Sequence, residues 1–192
     1  MTHGEEELAL EKADQILKEI EEKAEIEFMP IVGSERGRVL AEEVKKAKPK
    51  RVLEVGTLIG YSAILMGREL GKKSRIITIE NHAEEAKAAE ENIRRAEIPP
   101  KVQVIAGDAI QVLPTLKDSF DFVFIDADKT EYFDYLRLIE NKLRKGSVIV
   151  ADNAGFFARQ MKDYLDYVRT SGKYSSRFVQ VGDDGLEISV KL

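Results

Sequence analysis

Five times between residues 50 and 170 a short apolar run is followed by an amphipathic one, and that alternation leaves few folds open. Residues 51–55, 75–80, 102–106, 120–125 and 147–151 have the length and the Val, Ile and Phe content of buried strands. The segments between and after them, 61–70, 83–96, 109–116, 131–143 and 157–170, carry helical patterns. Strands joined by helical crossovers pair in parallel, and the crossovers are right-handed. The tail breaks the rhythm: 177–181 and 186–192 read as two strands joined by Gly182-Asp183-Asp184-Gly185, a hairpin signal. The expected architecture is α/β: a doubly wound sheet, mostly parallel, with one antiparallel strand from the C-terminal hairpin and helices on both faces.

Before residue 50 the pattern is helical. A helix over about 5–26 places Leu8, Leu10, Ala13, Ile16, Leu17 and Ile20 on one stripe. Pro30 interrupts it, a second helix runs over 35–47, and Pro49 closes the region. The whole chain, 1–192, reads as one domain, with 1–48 expected to cover its ligand site. The absence of cysteine excludes disulfides, thiolate nucleophiles and Cys-based zinc sites. No apolar run approaches the ~20 residues of a membrane span. The first seven residues are acidic and lack a leader pattern, so a cytoplasmic protein is expected. A net charge of -5 gives no general attraction to nucleic acid or to an anionic membrane.

Parallel strands deliver their carboxyl ends to one crevice. Two of the apolar strands end abruptly in oxygen-bearing side chains, at Asp126-Ala127-Asp128-Lys129 and at Asp152-Asn153. Asp126, Asp152 and Asn153 would meet there as a hard-oxygen set suited to a partly hydrated Mg²⁺ or another divalent cation. Lys129 lies close enough in sequence to serve as a base beside it. A base must be neutral, a state that a nearby dication and partial burial favour.

At the first strand-to-helix turn stands Leu53-Glu54-Val55-Gly56-Thr57-Leu58-Ile59-Gly60-Tyr61-Ser62. Gly56 lets the chain turn, Gly60 suits close approach of backbone to a ligand, and Ser62 could cap the helix or bond a carboxylate. Glu80, ending the second strand, is placed to grip ribose hydroxyls, and Asp108 after the third to lie beside an adenine. The spacing is G-x-x-x-G, not the G-x-G-x-x-G of dinucleotide enzymes. Glu54 would repel a pyrophosphate and attract an ammonium or sulfonium, which favours S-adenosylmethionine over NAD.

As a set these motifs resemble the class I methyltransferases that use S-adenosylmethionine, specifically the cation-dependent O-methyltransferase family that includes the catechol and caffeoyl-CoA enzymes. The resemblance covers residues 32–153 and rests on Val52-Leu53-Glu54-Val55-Gly56, Gly60-Tyr61-Ser62-Ala63, Glu80, Gly107-Asp108-Ala109, Asp126-Ala127-Asp128-Lys129 and Asp152-Asn153. It implies a Rossmann-like fold in which Glu54 faces the methionine ammonium, Gly56 passes under the cofactor and Ser62 bonds its carboxylate. Glu80 would hold the ribose, Ala109 and Asp108 would lie at the adenine, and Val32 would close over the amino-acid end. Asp126 would border the cofactor as well as ligate metal with Asp152 and Asn153, and Lys129 would be the base.

The acceptor would carry two adjacent oxygens, as a small catechol-like or phenolic molecule does. The glycine turn also resembles a bacterial branch acting on hydroxyuridine in tRNA, which would need a basic rim; Arg36, Arg38, Arg159, Lys162 and Lys173 are its candidates. Two rival classes are a non-catalytic binding module for the same cofactor and an NAD-dependent dehydrogenase. The resemblance also implies a homodimer. Tyr132 and Tyr135 read as core or rim, Phe156 and Phe157 as helix packing or pocket wall, and His82 as an exposed residue without a partner.

Overall fold

A computed structural model describes residues 3–192, with side chains at position 8 and from position 10 onward. Seven strands, β1 (Arg51–Val55), β2 (Arg75–Glu80), β3 (Lys101–Ala106), β4 (Phe120–Ile125), β5 (Leu143–Ala151), β6 (Tyr174–Val181) and β7 (Asp184–Lys191), form one sheet in the order β3-β2-β1-β4-β5-β7-β6. The pairs from β3 to β5 are parallel; β7 runs antiparallel to both β5 and β6. The helices are α1 (His3–Glu27), α2 (Gly33–Ala47), α3 (Tyr61–Gly67), α4 (Ala83–Ala96), α5 (Ala109–Val112), α6 (Tyr132–Ile139) and α7 (Lys162–Thr170).

Strand alternation sorts the core into two layers. Leu53, Val55, Ile77, Ile79, Val123, Ile125 and Ile149 face α5, α6 and α7. Val52, Ile76, Phe122, Phe124, Val150 and Ile188 face the layer that contains α1, α2 and α3. Because the chain winds outward from β1 through β2 to β3 and then returns beside β1, the strand order reverses between β1 and β4. That reversal opens a crevice at the strands' carboxyl ends.

The element boundaries differ from the sequence pattern at several points; α3 and α5 end early, at Gly67 and Val112, and β6 and β7 begin early, at Tyr174 and Asp184. The stripe of α1 is buried only from Ala13, with Leu8 and Leu10 exposed. The helix meets α3 and α4 along that stretch, where Arg68–Asp14 (2.8 Å) and Lys12–Glu97 (2.7 Å) flank the contact. The helix expected over 131–143 ends at Ile139, and β5 begins at Leu143, four residues earlier than its apolar core suggests. Arg144, Lys145 and Gly146 hide this start, since they lie on an exposed strand end. The last helix starts at Lys162 rather than 157. The backbone N–H groups of Ala154, Gly155 and Phe156 are taken by the hairpin, at Gly185 O and at Asp184 Oδ1.

Candidate active site

Register brings the site together. The N–H of Asp126 donates to Val55 O (2.9 Å), that of Gly56 to Ile79 O (3.0 Å) and that of Asp152 to Ile125 O (3.0 Å). The ends of β2, β1, β4 and β5 therefore stand side by side. A cavity of about 670 Å³ opens above them, lined by Val32, Gly56, Ser62, Glu80, Asp108 and Ala109 on one side and by Asp126, Lys129, Asp152 and Asn153 on the other.

Glu54, expected to face the ligand, does not line the cavity wall: it is wholly buried, on the β1 face that carries Val52. Its Oε2 accepts from Thr78 Oγ1 (2.5 Å), and its Oε1 makes no hydrogen bond of good geometry. Burial pushes its pKa up to about 7, against the opposing pull of the Ser62 and Thr78 hydroxyls. A buried carboxylate oxygen without a well-placed donor fits a cationic ligand group. Both oxygens of Glu80 are engaged by backbone, Oε2 by Leu58 N–H (2.7 Å) and Oε1 by His82 N–H (3.0 Å). Those bonds fix the carboxylate at the cavity edge and leave lone pairs for hydroxyl donors. Asp108 caps α5 by accepting from Ile110 N–H (2.8 Å).

Three sequence readings need correction here. Gly60 does not reach the cavity; a Cβ there would press to 3.3 Å on Ala89, so its φ of +90° serves the packing of α4. Ser62 does not cap α3, whose N-cap is Gly60. His82 is exposed but not alone: its Nδ1 lies 3.2 Å from a carboxylate oxygen of Glu80 and of Glu85.

On the other side, Lys129 Nζ donates to Asp126 Oδ1 (2.7 Å) and to Tyr132 Oη (3.0 Å), and the Tyr132 hydroxyl lies 3.3 Å from Asp152 O. Asp128 is exposed at the cavity edge, and its carboxylate caps its own turn through Thr130. Asp152 is 1% exposed, and neither of its oxygens accepts a well-formed hydrogen bond. Burial, with the Asp126 carboxylate adding to it, pushes its pKa up to about 7 despite Arg36. The Arg36 Nε lies 2.9 Å from Asp152 Oδ1. Asn153 adopts a left-handed φ of +61°, and its Nδ2 donates to Asp184 Oδ2 (2.7 Å). Two carboxylates and an amide, with buried oxygens short of donors, fit a divalent cation held by oxygen ligands.

Sequence reasoning missed Tyr132 as a partner of Lys129, Arg36 as a partner of Asp152, and Asp184. The first had a signal, since an i+3 tyrosine follows the lysine; the other two arrive from distant segments.

The O-methyltransferase family profile matches residues 6–171. The chain belongs to the O-methyltransferase family. It is 37% identical to a catechol O-methyltransferase of Danio rerio over 174 residues, which is 84% of this chain and 65% of that protein. A catechol O-methyltransferase of Niastella koreensis is 41% identical over 126 residues, 64% of this chain and 57% of its own. The match thus spans somewhat less than two thirds of these relatives. Among solved structures, an O-methyltransferase from Bacillus cereus in complex with S-adenosylhomocysteine superposes with a TM-score of 0.82 at 26% identity, covering 93% of this chain and 91% of its own. This O-methyltransferase family member thus shares the arrangement of a protein crystallised with the demethylated cofactor.

Proposed function

We propose that this protein transfers methyl from S-adenosylmethionine to a hydroxyl oxygen of a small catechol-like or phenolic acceptor, with Mg²⁺ or a similar cation in the site. The observation that carries this reading is Asp152: a buried carboxylate with neither oxygen well hydrogen-bonded, beside Asp126 and Asn153, in the same cavity as Glu80. Glu54 and Ser62 would meet the methionine end of the cofactor, Val32 would cover it, and Glu80 would hold the ribose. Asp108 and Ala109 would border the adenine. Asp126, Asp152 and Asn153 would hold the cation.

When bound, the cofactor supplies the methyl group and the cation supplies charge that stabilises an acceptor oxyanion. Lys129 takes the acceptor's proton at Nζ, and its two contacts aim that atom into the cavity. Tyr132, fully buried, fixes the lysine and is itself held by the Asp152 backbone. Alignment within a walled cavity lowers the entropic part of the barrier.

The basic rim that a tRNA acceptor would need is partly neutralised among the described residues. Of the five candidate rim residues, Arg36 pairs with Asp152 and Asp184, Lys162 with Asp166, and Lys173 with Glu140.

The test is transfer of labelled methyl to a small catechol with Mg²⁺ and with EDTA, in wild type and Lys129→Ala. Transfer should vanish on chelation and fall about 10²–10⁴-fold in the variant, with binding of S-adenosylhomocysteine retained. Metal-independent transfer would sink the cation reading, and full activity of Lys129→Ala would sink the base.

A further inference from the structure

Asp184 opens β7, past residue 171 where the family profile ends. It is largely buried, with 12% of its side chain exposed, and both of its oxygens face the loop that carries Asp152 and Asn153. Oδ1 accepts from the N–H groups of Gly155 (3.1 Å) and Phe156 (2.9 Å). Oδ2 accepts from Asn153 Nδ2 (2.7 Å) and lies 3.6 Å from Arg36 Nη1.

We propose that Asp184 is a positioning residue for the cation site, deciding which end of the Asn153 amide faces the cavity. This rests on the cation reading given above. A carboxylate can only accept hydrogen bonds, so the amide must turn its NH₂ toward Asp184. Its carbonyl oxygen then lies on the opposite side of the planar group and is the end left for the cavity that Asn153 lines with Asp126 and Asp152. Without that constraint either end could face inward, and an NH₂ group presented to a cation repels it. The same Asp184 oxygen gives the Arg36 guanidinium a partner besides Asp152, which draws positive charge away from the ligand set. Partners behind a ligand commonly set its orientation and affinity in this way.

Asp184→Asn tests the idea with little change of shape. Its carbonyl oxygen can still accept from Gly155 and Phe156, while its NH₂ meets Asn153 and reverses that amide. Mn²⁺ binding, followed by the electron paramagnetic resonance signal of the free ion, should weaken about 10–100-fold. Calorimetric affinity for S-adenosylhomocysteine should stay within about twofold of wild type, because no cofactor contact changes. Asn153→Asp supplies the second arm. A carboxylate at that position offers oxygen on both sides, so Asp184→Asn should cost no Mn²⁺ affinity in the Asn153→Asp background. Equal Mn²⁺ affinity of wild type and Asp184→Asn overturns the proposal, and so does an equal loss in both backgrounds. A parallel loss of S-adenosylhomocysteine binding also overturns it, by marking a general distortion. If wild type itself binds no Mn²⁺, the cation reading falls and this proposal falls with it.

Discussion

Gly56 has no room for a side chain. Its φ is +95°, and a Cβ would lie 2.0 Å from the carbonyl oxygen of Asp126. The obstacle is backbone of the neighbouring strand, which cannot yield as a flexible side-chain tip can. Gly56→Ala is expected to cost about 3 kcal/mol or more, read by urea denaturation, with the left-handed backbone and the clash adding. A cost below about 1 kcal/mol would mean that β1 and β4 can part without loss. The glycine itself was legible as a turn residue. That it seats the strand end carrying Asp126 was not, because the contact joins segments seventy residues apart.

At the level of elements, an ion pair with one buried partner helps fasten the C-terminal hairpin to α7, alongside the bond that Ser176 Oγ donates to Val168 O. Arg169 donates to Glu187 at 2.8 and 2.6 Å; the Glu187 side chain is 1% exposed and that of Arg169 44%. Removing the arginine strands a buried carboxylate, so Arg169→Ala should destabilise by about 2–4 kcal/mol, less than for a fully enclosed pair because water reaches the guanidinium. Pairing it with Glu187→Leu should recover most of that loss in thermal denaturation, since the stranded charge is gone. No recovery would place the cost in lost packing of the arginine stem instead. The five βα units and the hairpin were readable from periodicity, because buried strands and half-buried helices differ in period. The start of β5 and the start of α7 were not readable: charged residues mask the one, and ahead of the other, residues 157–161 close local turns on Asn153, Gly155 and Phe157 while the hairpin holds the segment just before them.

For the molecule as a whole, two strongly raised carboxyls, with Glu85 shifted in the same direction by burial and by Glu80, bear on stability between mildly acidic and neutral pH. Glu54 and Asp152 are both pushed up to about 7 by burial, whereas unfolded carboxyls titrate near about 4. Between those values the folded chain holds protons that the unfolded chain has released. Their contribution is therefore complete below about 4 and declines as pH rises toward about 7. Glu43, Glu140 and Asp184 shift downward; although burial pushes each one up, their hydrogen-bond donors outweigh it. Their stabilisation is lost only on acidification below about 4, so they do not offset the trend in this window. Without cofactor or metal, Tm should fall between about pH 5 and 7.5, and Glu54→Gln should flatten the slope. An unchanged slope in that variant would mean that Glu54 is ionised in the folded protein.

Sequence by itself determined the sheet, its ligand crevice and the residues at the strand ends, because apolar period and abrupt polar termini are properties of neighbouring positions. It also named Asp126, Asp152, Asn153 and Lys129, with Glu54 and Glu80, as candidates for the site. Only the tertiary structure decided what those groups touch. It sealed Glu54 beneath the cavity, set Arg36 against Asp152, threaded Tyr132 between Lys129 and Asp152, and brought Asp184 behind Asn153. Hydrogen bonds and ion pairs act over a few ångströms of space, and no spacing along the chain encodes which distant segment will be there.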